Sequence, residues 1–579
     1  MRTYRGAHSP QRNINEIRGV QNTTRPPATT KNRSFLDTSA AEYSDGLGST
    51  ARVVALPLRA ILYPIQPMKR FPGVYFMRLA GMLLLSSALV APISKAHAQV
   101  DATTTNSLSA GQVESIDSLV SAEMARQHIP GVAIGIYNRG HILLAKGYGL
   151  ASVELSVAVR PETIFQSGSI GKQFVSAASM MLVEEGKLSL DDSIAKYFPD
   201  SPPTWKPILI KNLLSHTSGL SEYESDERVG PQGDFYLRLD FTEDELLKKI
   251  EALPIEWPAG NKWVYRNTNY LLLGLIIHRV SGKPYAEYLD ERIFKPVGMT
   301  STRLISERDI IPNRSAGYEL EDDQLKNQAW VSPTFNSTAD GALYFNVLDL
   351  AKWDEALYTT RLLTRSSLDR IWTVYPLNDG KPNWAGYGFG WFIGRQNGHK
   401  MIWHSGAWQG FTCVISRYPD HNLSVAVLTN LDSDHSNPRV IARAIAGLVD
   451  PLFMPPKLDP ITDAKPEIAT LLRGNLNRLI AGEDIRPKRG TELTANLTFD
   501  EKQALMSSES LQMLQKTLAK TWPGGSLTLV KRILMSDTLH REISVYRLAR
   551  GNEALLIVFA AGPKGSAALF GVMRDRPYD

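Results

Sequence analysis

Short apolar runs with strand character stand at 131–137 and 142–148, and such runs return only after a long interval, at 387–394, 400–404, 411–418 and 423–430. The first two flank Asn138-Arg139-Gly140, a hairpin signal. The interval, roughly 172–375, is mostly helical in pattern and is punctuated by Gly186, Pro199, Pro202-Pro203 and Gly219. Apolar residues at helical spacing (Ile116, Leu119, Val120, Met124) precede the first strand, and a helix-like run at 438–449 follows the last. Strands at both ends with helices between predict an α/β fold: one sheet built from both ends of the chain, helices packed on it, and a helical insertion.

Pro451–Pro466 holds five prolines and reads as a linker, 451–466. Beyond it, 467–579 reads as a small α+β domain, with helix-like stretches near 467–481 and 499–520 and strand-like runs near 526–533, 541–549, 553–560 and 566–573. It carries no catalytic constellation, and the chain shows no internal repeats.

At 579 residues the chain is too long for one ordinary domain. Its formal charge of +5 is unevenly placed. Residues 1–98 carry 13 Lys/Arg against 4 Asp/Glu, which leaves 51 basic and 55 acidic residues from Gln99 onward. The basic excess sits in the leader, so no nucleic-acid or membrane-surface partner is inferred from it. The single cysteine, Cys413, precludes an intramolecular disulfide and reads as a small core residue.

Met68-Lys69-Arg70 opens a basic segment, an apolar run extends from Leu79 to Ile93, and Ala96-His97-Ala98 follows. This is the pattern of a secretory signal peptide over 68–98, with cleavage before Gln99. The apolar run is shorter than the ~20 residues a spanning helix needs, so a retained membrane anchor is not expected. The product is expected to be periplasmic or secreted. Residues 1–67 are an anomalous, unpatterned leader, and translation is expected to begin at Met68 or Met77.

Ser169-Ile170-Gly171-Lys172 is an S-x-x-K motif. On a helix starting near Ser169 the two side chains share a face, so the amine lies against the hydroxyl. The helix N-terminus favours a negative oxygen there. A neutral amine is required, and burial would favour it. The pair alone is a weak signal. The G-x-S-x-G elbow is not met, because position 167 is Ser, and no H-x-H, H-E-x-x-H or C-x-x-C offers a metal site. Two more segments add weight: Tyr265-Arg266-Asn267 gives Y-x-N, and His404-Ser405-Gly406 gives H-x-G.

In this order the three motifs resemble the serine β-lactamase and penicillin-binding-protein superfamily, closest to the branch of class C β-lactamases, D-aminopeptidases and family VIII esterases. Leu213–Leu220, Pro296–Met299, Asp349–Trp353 and Tyr387–Trp391 resemble the same scaffold, and the likeness covers about 110–450. It implies a catalytic domain over 99–450 with an antiparallel five-stranded sheet flanked by helices. It implies Ser169 as nucleophile and acyl carrier, with Lys172 and Tyr265 sharing general-base work, the first acceptor of the serine proton left open. The N–H groups of Ser169 and Ala407 would form the oxyanion hole. Asn267, His404, Gly406 and Ala407 would bind or support the substrate. No cofactor is implied.

Two departures bear on substrate. His404 stands where the family often has lysine, and a histidine mostly neutral at pH 7 disfavours the carboxylate of penicillins. It serves either in substrate selection or only as a hydrogen-bond donor on the sheet. Arg266 either points away or narrows the site and binds a substrate carboxylate. The acidic run within Ser221–Asp234 (Glu222, Glu224, Asp226, Glu227) reads as a solvated loop, or, if it rims the cleft, as a preference for substrates with a free amine. His216 reads as a structural turn residue. The leading expectation is a hydrolase of small esters or D-amino-acid amides and peptides, peptidoglycan-derived ones included. A weak β-lactamase or D,D-carboxypeptidase, and a catalytically silent binding scaffold, are the alternatives.

Overall fold

The computed structural model describes residues 107–574 except 434–435, 456–457, 484–514, 516–517, 520–521, 535–541, 551–552 and 562–566. The leader 1–67, the signal segment 68–98 and most of the helix expected at 499–520 lie outside the described residues. No described helix is long and apolar enough to cross a membrane.

Helix α1 (Ala110–Gln127), capped by Ser109, enters β1 (Gly131–Asn138), which turns into β2 (His141–Ser152). The connecting Arg139 and Gly140 both take positive φ, 48° and 82°, the backbone that a two-residue hairpin matched to strand twist requires. A short β3 (Val157–Ala158) follows. Far along the chain come β4 (Phe392–Gln396), β5 (His399–Trp408), β6 (Phe411–Tyr418) and β7 (Leu423–Thr429). The sheet order is β3-β2-β1-β7-β6-β5-β4. The two chain ends meet at the antiparallel β1–β7 ladder, from Val132 opposite Thr429 to Asn138 opposite Leu423. The expected antiparallel sheet flanked by helices is present. Five long strands form its body, and the short edge strands β3 and β4 extend it to seven.

β1 is buried on both faces, which is why it reads as a continuous apolar run. Its residues nevertheless alternate between two cores. Val132, Ile134 and Ile136, with Val414, Val425 and Val427, pack against Ile116 and Val120 of α1 and Ile441 and Ile445 of α5 (Pro438–Val449). Ala133, Tyr137, Ala426 and Leu428 face the helices of the insertion. Those helices are α2 (Lys172–Glu184), α3 (Asn267–Ser281) and α4 (Val347–Ala356). Tyr137 Oη donates to the Val347 carbonyl at 2.6 Å and ties β1 to α4.

The insertion is less helical than its pattern predicts. Between its long helices run short turns and two three-stranded sheets, one of them joining Phe165–Gln166 and Arg303–Leu304 to Leu343–Phe345. Beyond α5, α6 (Pro466–Ile480) packs with a meander of β8 (Ser526–Leu534), β9 (Glu542–Arg550), β10 (Glu553–Ala561) and β11 (Ala567–Arg574). They enclose a third apolar cluster that includes Leu472, Leu476, Leu479, Leu529, Leu548 and Ile557.

Candidate active site

Ser169 does not lie on α2 itself. It sits in a 3₁₀ turn, Gly168–Gly171, that runs straight into it. The turn is fixed from both sides. Ser167 Oγ donates to the Gly341 carbonyl at 2.8 Å, and Cys413 Sγ lies 2.9 Å from the Ser167 carbonyl. Strand β5 presses on the turn so closely that a Cβ on Gly406 would meet Ser167 O at 2.1 Å and Ser169 N at 2.9 Å. Gly168, at φ +46°, would likewise put a Cβ 2.5 Å from Ala407 N. The close approach brings the Ser169 and Ala407 amides, the two expected oxyanion donors, to one place beside a partly exposed Ser169.

Lys172, the first residue of α2, is fully buried. Its Nζ lies 3.0 Å from Ser169 Oγ, 2.7 Å from Asn267 Oδ1 and 2.5 Å from the Asp340 carbonyl. Asn267 Oδ1 and the Asp340 carbonyl can only accept. In a neutral amine they take two N–H groups, and a lone pair remains for the direction of the serine hydroxyl.

Tyr265 is buried with its ring centroid 4.9 Å from Lys172 Nζ. The ring lies on the His216 imidazole, 4.2 Å away. His216 Nδ1 accepts from the Arg266 amide at 3.3 Å and lies 3.1 Å from Asn269 Nδ2, and burial drives its imidazole well below the usual value. His216 therefore supports the Tyr265 segment as a neutral structural group. Arg266 points away, as one expectation had it, but its head is held by Glu256 at 2.7 Å.

Asn267 opens α3 and joins two neighbourhoods. Its Oδ1 takes Lys172, its Nδ2 donates to Glu224 Oε2 at 2.5 Å, and its backbone N–H donates to Glu222 Oε2 at 2.7 Å. Two members of the acidic run are thus turned inward, which corrects the solvated-loop expectation for them. Glu224 is 4% exposed, whereas Glu227 faces solvent. Tyr223 and Asp340, which the sequence did not single out, complete the cluster: Tyr223 Oη lies 2.6 Å from Glu224 Oε1 and 2.7 Å from Asp340 Oδ2.

His404 is fully buried. Its Nδ1 lies 2.6 Å from the Ser405 carbonyl and its Nε2 3.1 Å from Tyr387 Oη. A carbonyl can only accept, so Nδ1 carries the proton and Nε2 accepts from the tyrosine. Burial, with the Lys172 charge nearby, lowers its pKa to about 3. Among the described residues no group of three or more His, Cys, Asp and Glu is placed to hold a metal ion.

A family model described as Beta-lactamase matches residues 116–450. Protein flp of Staphylococcus aureus (strain MRSA252) is 29% identical over 329 residues, covering 56% of this chain and 64% of its own length. Penicillin-binding protein 4* of Bacillus subtilis is 28% identical over 325 residues, 53% of this chain and 69% of its own. The match thus spans a little under two thirds of the staphylococcal relative. Among solved structures, an octameric penicillin-binding protein homologue from Pyrococcus abyssi superposes with a TM-score of 0.52 at 24% identity, covering 80% of this chain and 95% of that one. D-amino acid amidase from Ochrobactrum anthropi gives 0.50 at 22%, covering 59% and 97%. At such identities the likeness is one of fold.

Proposed function

The chain belongs to the Beta-lactamase family, and from that premise we propose that it is an exported serine hydrolase that works through an acyl-enzyme on Ser169, with small esters or D-amino-acid amides and peptides as substrates. The observation that carries the reading is the Lys172 amine, which is held by Asn267 Oδ1 and the Asp340 carbonyl with Ser169 Oγ 3.0 Å away.

In the proposed reaction the Ser169 hydroxyl gives its proton to the Lys172 lone pair, directly or through the Tyr265 phenol, as Oγ bonds to the substrate carbonyl carbon. The carbonyl oxygen takes up the negative charge against the Ser169 and Ala407 N–H groups. Collapse expels the alcohol or amine, which leaves with the proton first taken from serine. Water then attacks the acyl-enzyme with its proton passing to the same base, and Ser169 is regenerated.

The buried, neutral His404 supports substrates whose acyl part carries no anionic group at that position, because it offers no cation to a carboxylate. The basic start, apolar run and small-residue end of 68–98 support export.

A panel of short acyl esters, D-alanyl amides and nitrocefin tests the reading. Ser169→Ala is expected to abolish turnover with the fold intact, and Lys172→Ala or Tyr265→Phe to lower kcat about 10²–10⁴-fold. An undiminished rate in Ser169→Ala overturns it. Labelling by fluorophosphonate alone matches esterase-like chemistry. Additional labelling by a fluorescent penicillin moves the assignment to the β-lactamase or D,D-carboxypeptidase alternative, and neither label moves it to a scaffold.

A further inference from the structure

We propose that Glu224 is a positioning residue for the Ser169–Lys172 pair, acting as a neutral carboxylic acid at one end of a buried carboxyl–hydroxyl–carboxyl chain with Tyr223 and Asp340. The proposal rests on the reading of Lys172 as the amine that activates Ser169.

The count of protons carries it. Tyr223 Oη lies within hydrogen-bond distance of two carboxyl oxygens, Glu224 Oε1 at 2.6 Å and Asp340 Oδ2 at 2.7 Å. A phenol has one proton and donates to one of them. The other contact is a hydrogen bond only if that carboxyl is itself protonated and donates to the phenol oxygen. With both acids ionised, one carboxylate oxygen would lie against the lone pairs of the phenol oxygen with no proton between them, among buried groups. One of the two carboxyls therefore keeps a proton.

Glu224 is the better holder. It is 4% exposed, and burial, together with the neighbouring Asp340 and Glu222 carboxylates, pushes its carboxyl well above the usual range, against opposing effects of Tyr223 and Lys172. Burial raises Glu222 as well, but there the Asn267 amide at 2.7 Å and the Arg266 cation oppose it. With the proton on Glu224 every group is satisfied. Glu224 Oε1–H donates to Tyr223, Tyr223 donates to Asp340 Oδ2, and Glu224 Oε2 accepts from Asn267 Nδ2 at 2.5 Å.

Two consequences reach the amine. The acceptor at Glu224 fixes the Asn267 side-chain amide with Oδ1 toward Lys172, since a flipped amide would set its Oδ1 against Glu224 Oε2, acceptor against acceptor. A neutral Glu224 also puts no full negative charge one amide away from Nζ, so it does not hold Lys172 as an ammonium. Asp340 grips the amine through its own carbonyl at 2.5 Å while anchoring the far end of the chain. The titratable and charged groups about the amine are thus Glu222, Tyr223, Glu224 and Asp340 around Asn267, Arg266 beyond Glu222, the Tyr265 and Tyr270 ring centroids 4.9 and 5.5 Å from Nζ, and the neutral His216 and His404.

The test is the rate of fluorophosphonate labelling at Ser169 across pH, in the full chain, for the wild type, Glu224→Gln, Glu224→Leu and Ser169→Ala. Glu224→Leu is expected to slow labelling about ten- to hundred-fold by freeing Asn267. Glutamine keeps an acceptor for Asn267 and a donor for Tyr223, so Glu224→Gln is expected to restore most of that rate. Because it replaces a neutral group by a neutral group, it should leave the midpoint of the rising pH limb in place. If Glu224 is ionised in the wild type, Glu224→Gln removes a negative charge beside Lys172 and drops that midpoint by about a unit or more, which overturns the proposal. Wild-type labelling in Glu224→Leu, or a Gln variant as slow as the Leu one, overturns it as well. Should Glu224→Leu fail to fold, the midpoint in Glu224→Gln decides alone. Labelling that persists in Ser169→Ala, or is absent from the wild type, is the separate signature of a failed serine reading, and this proposal falls with it.

Discussion

His404 and His216 each sit in the core as neutral imidazoles with hydroxyl, carbonyl and amide partners. Both have folded-state pKa values below the ordinary ~6.5. The unfolded chain therefore binds protons below about pH 6.5 that the folded chain refuses. Stability is fully present above that pH and is lost as pH falls toward the folded value, which is about 3 for His404. Each such group contributes a slope of at most about 1.4 kcal/mol per pH unit. Urea midpoints taken from pH 7.5 to 5 should fall, and His404→Gln should flatten the dependence by up to one proton's worth. An equal slope in the variant would mean that His404 is already charged in the fold. At this scale the motifs were legible because local spacing sets them: S-x-x-K places Lys172 one turn from Ser169 whatever surrounds it. Glu224, Tyr223 and Asp340 were not legible. A glutamate in a charged run reads as solvated, and only the distant Asn267 and Asp340 turn it inward.

At the scale of elements, the site is made where β5 lies against the turn before α2, and Gly406 is the point of contact. A Cβ there would sit 2.1 Å from one backbone oxygen and 2.9 Å from a backbone nitrogen, and neither can swing aside. Gly406→Ala should therefore push the strand off the turn, separate the two amides proposed as the oxyanion hole and slow Ser169 labelling at least ~10²-fold. Overpacking of this kind costs about 1–3 kcal/mol, which a urea titration would register. Labelling at the wild-type rate would mean that the strand does not position the nucleophile. The strands themselves were readable, since their short continuous apolar runs and the Arg139-Gly140 turn are visible in sequence alone. The insertion was less so. Its segments at 303–304, 318–321, 324–327 and 343–345 are too short to carry a period; distant partners make strands of 303–304 and 343–345, while 318–321 and 324–327 pair with each other as a local hairpin.

Over the whole molecule, three apolar clusters divide the described residues, and the Pro-rich connection is shared out between them. Its start belongs to the large sheet: Phe453 is fully buried, its ring lies tilted against Tyr418 with centroids 4.2 Å apart, and its carbonyl accepts from Gln396 Nε2 at 2.8 Å. Its end belongs to the meander: Ile461 N–H donates to Leu529 O at 2.9 Å, and Asp463 holds Arg532 at 2.6 Å and Tyr546 at 3.0 Å. Among the described residues, contacts with the large sheet thus extend to Met454, whose carbonyl accepts from Asn397 Nδ2, and Ile461 already pairs with the meander. A third cluster that shares no residue with the other two can lose its packing while they keep theirs. We expect calorimetry of residues 99–579 to resolve two transitions, and limited proteolysis to cut first between Phe453 and Ile461 and release two protease-resistant pieces, the larger still labelled at Ser169. A single transition coincident by every probe, or a first cut inside the meander or the insertion, would mean that the meander is part of one cooperative unit with the catalytic sheet, held by contacts other than the apolar clusters.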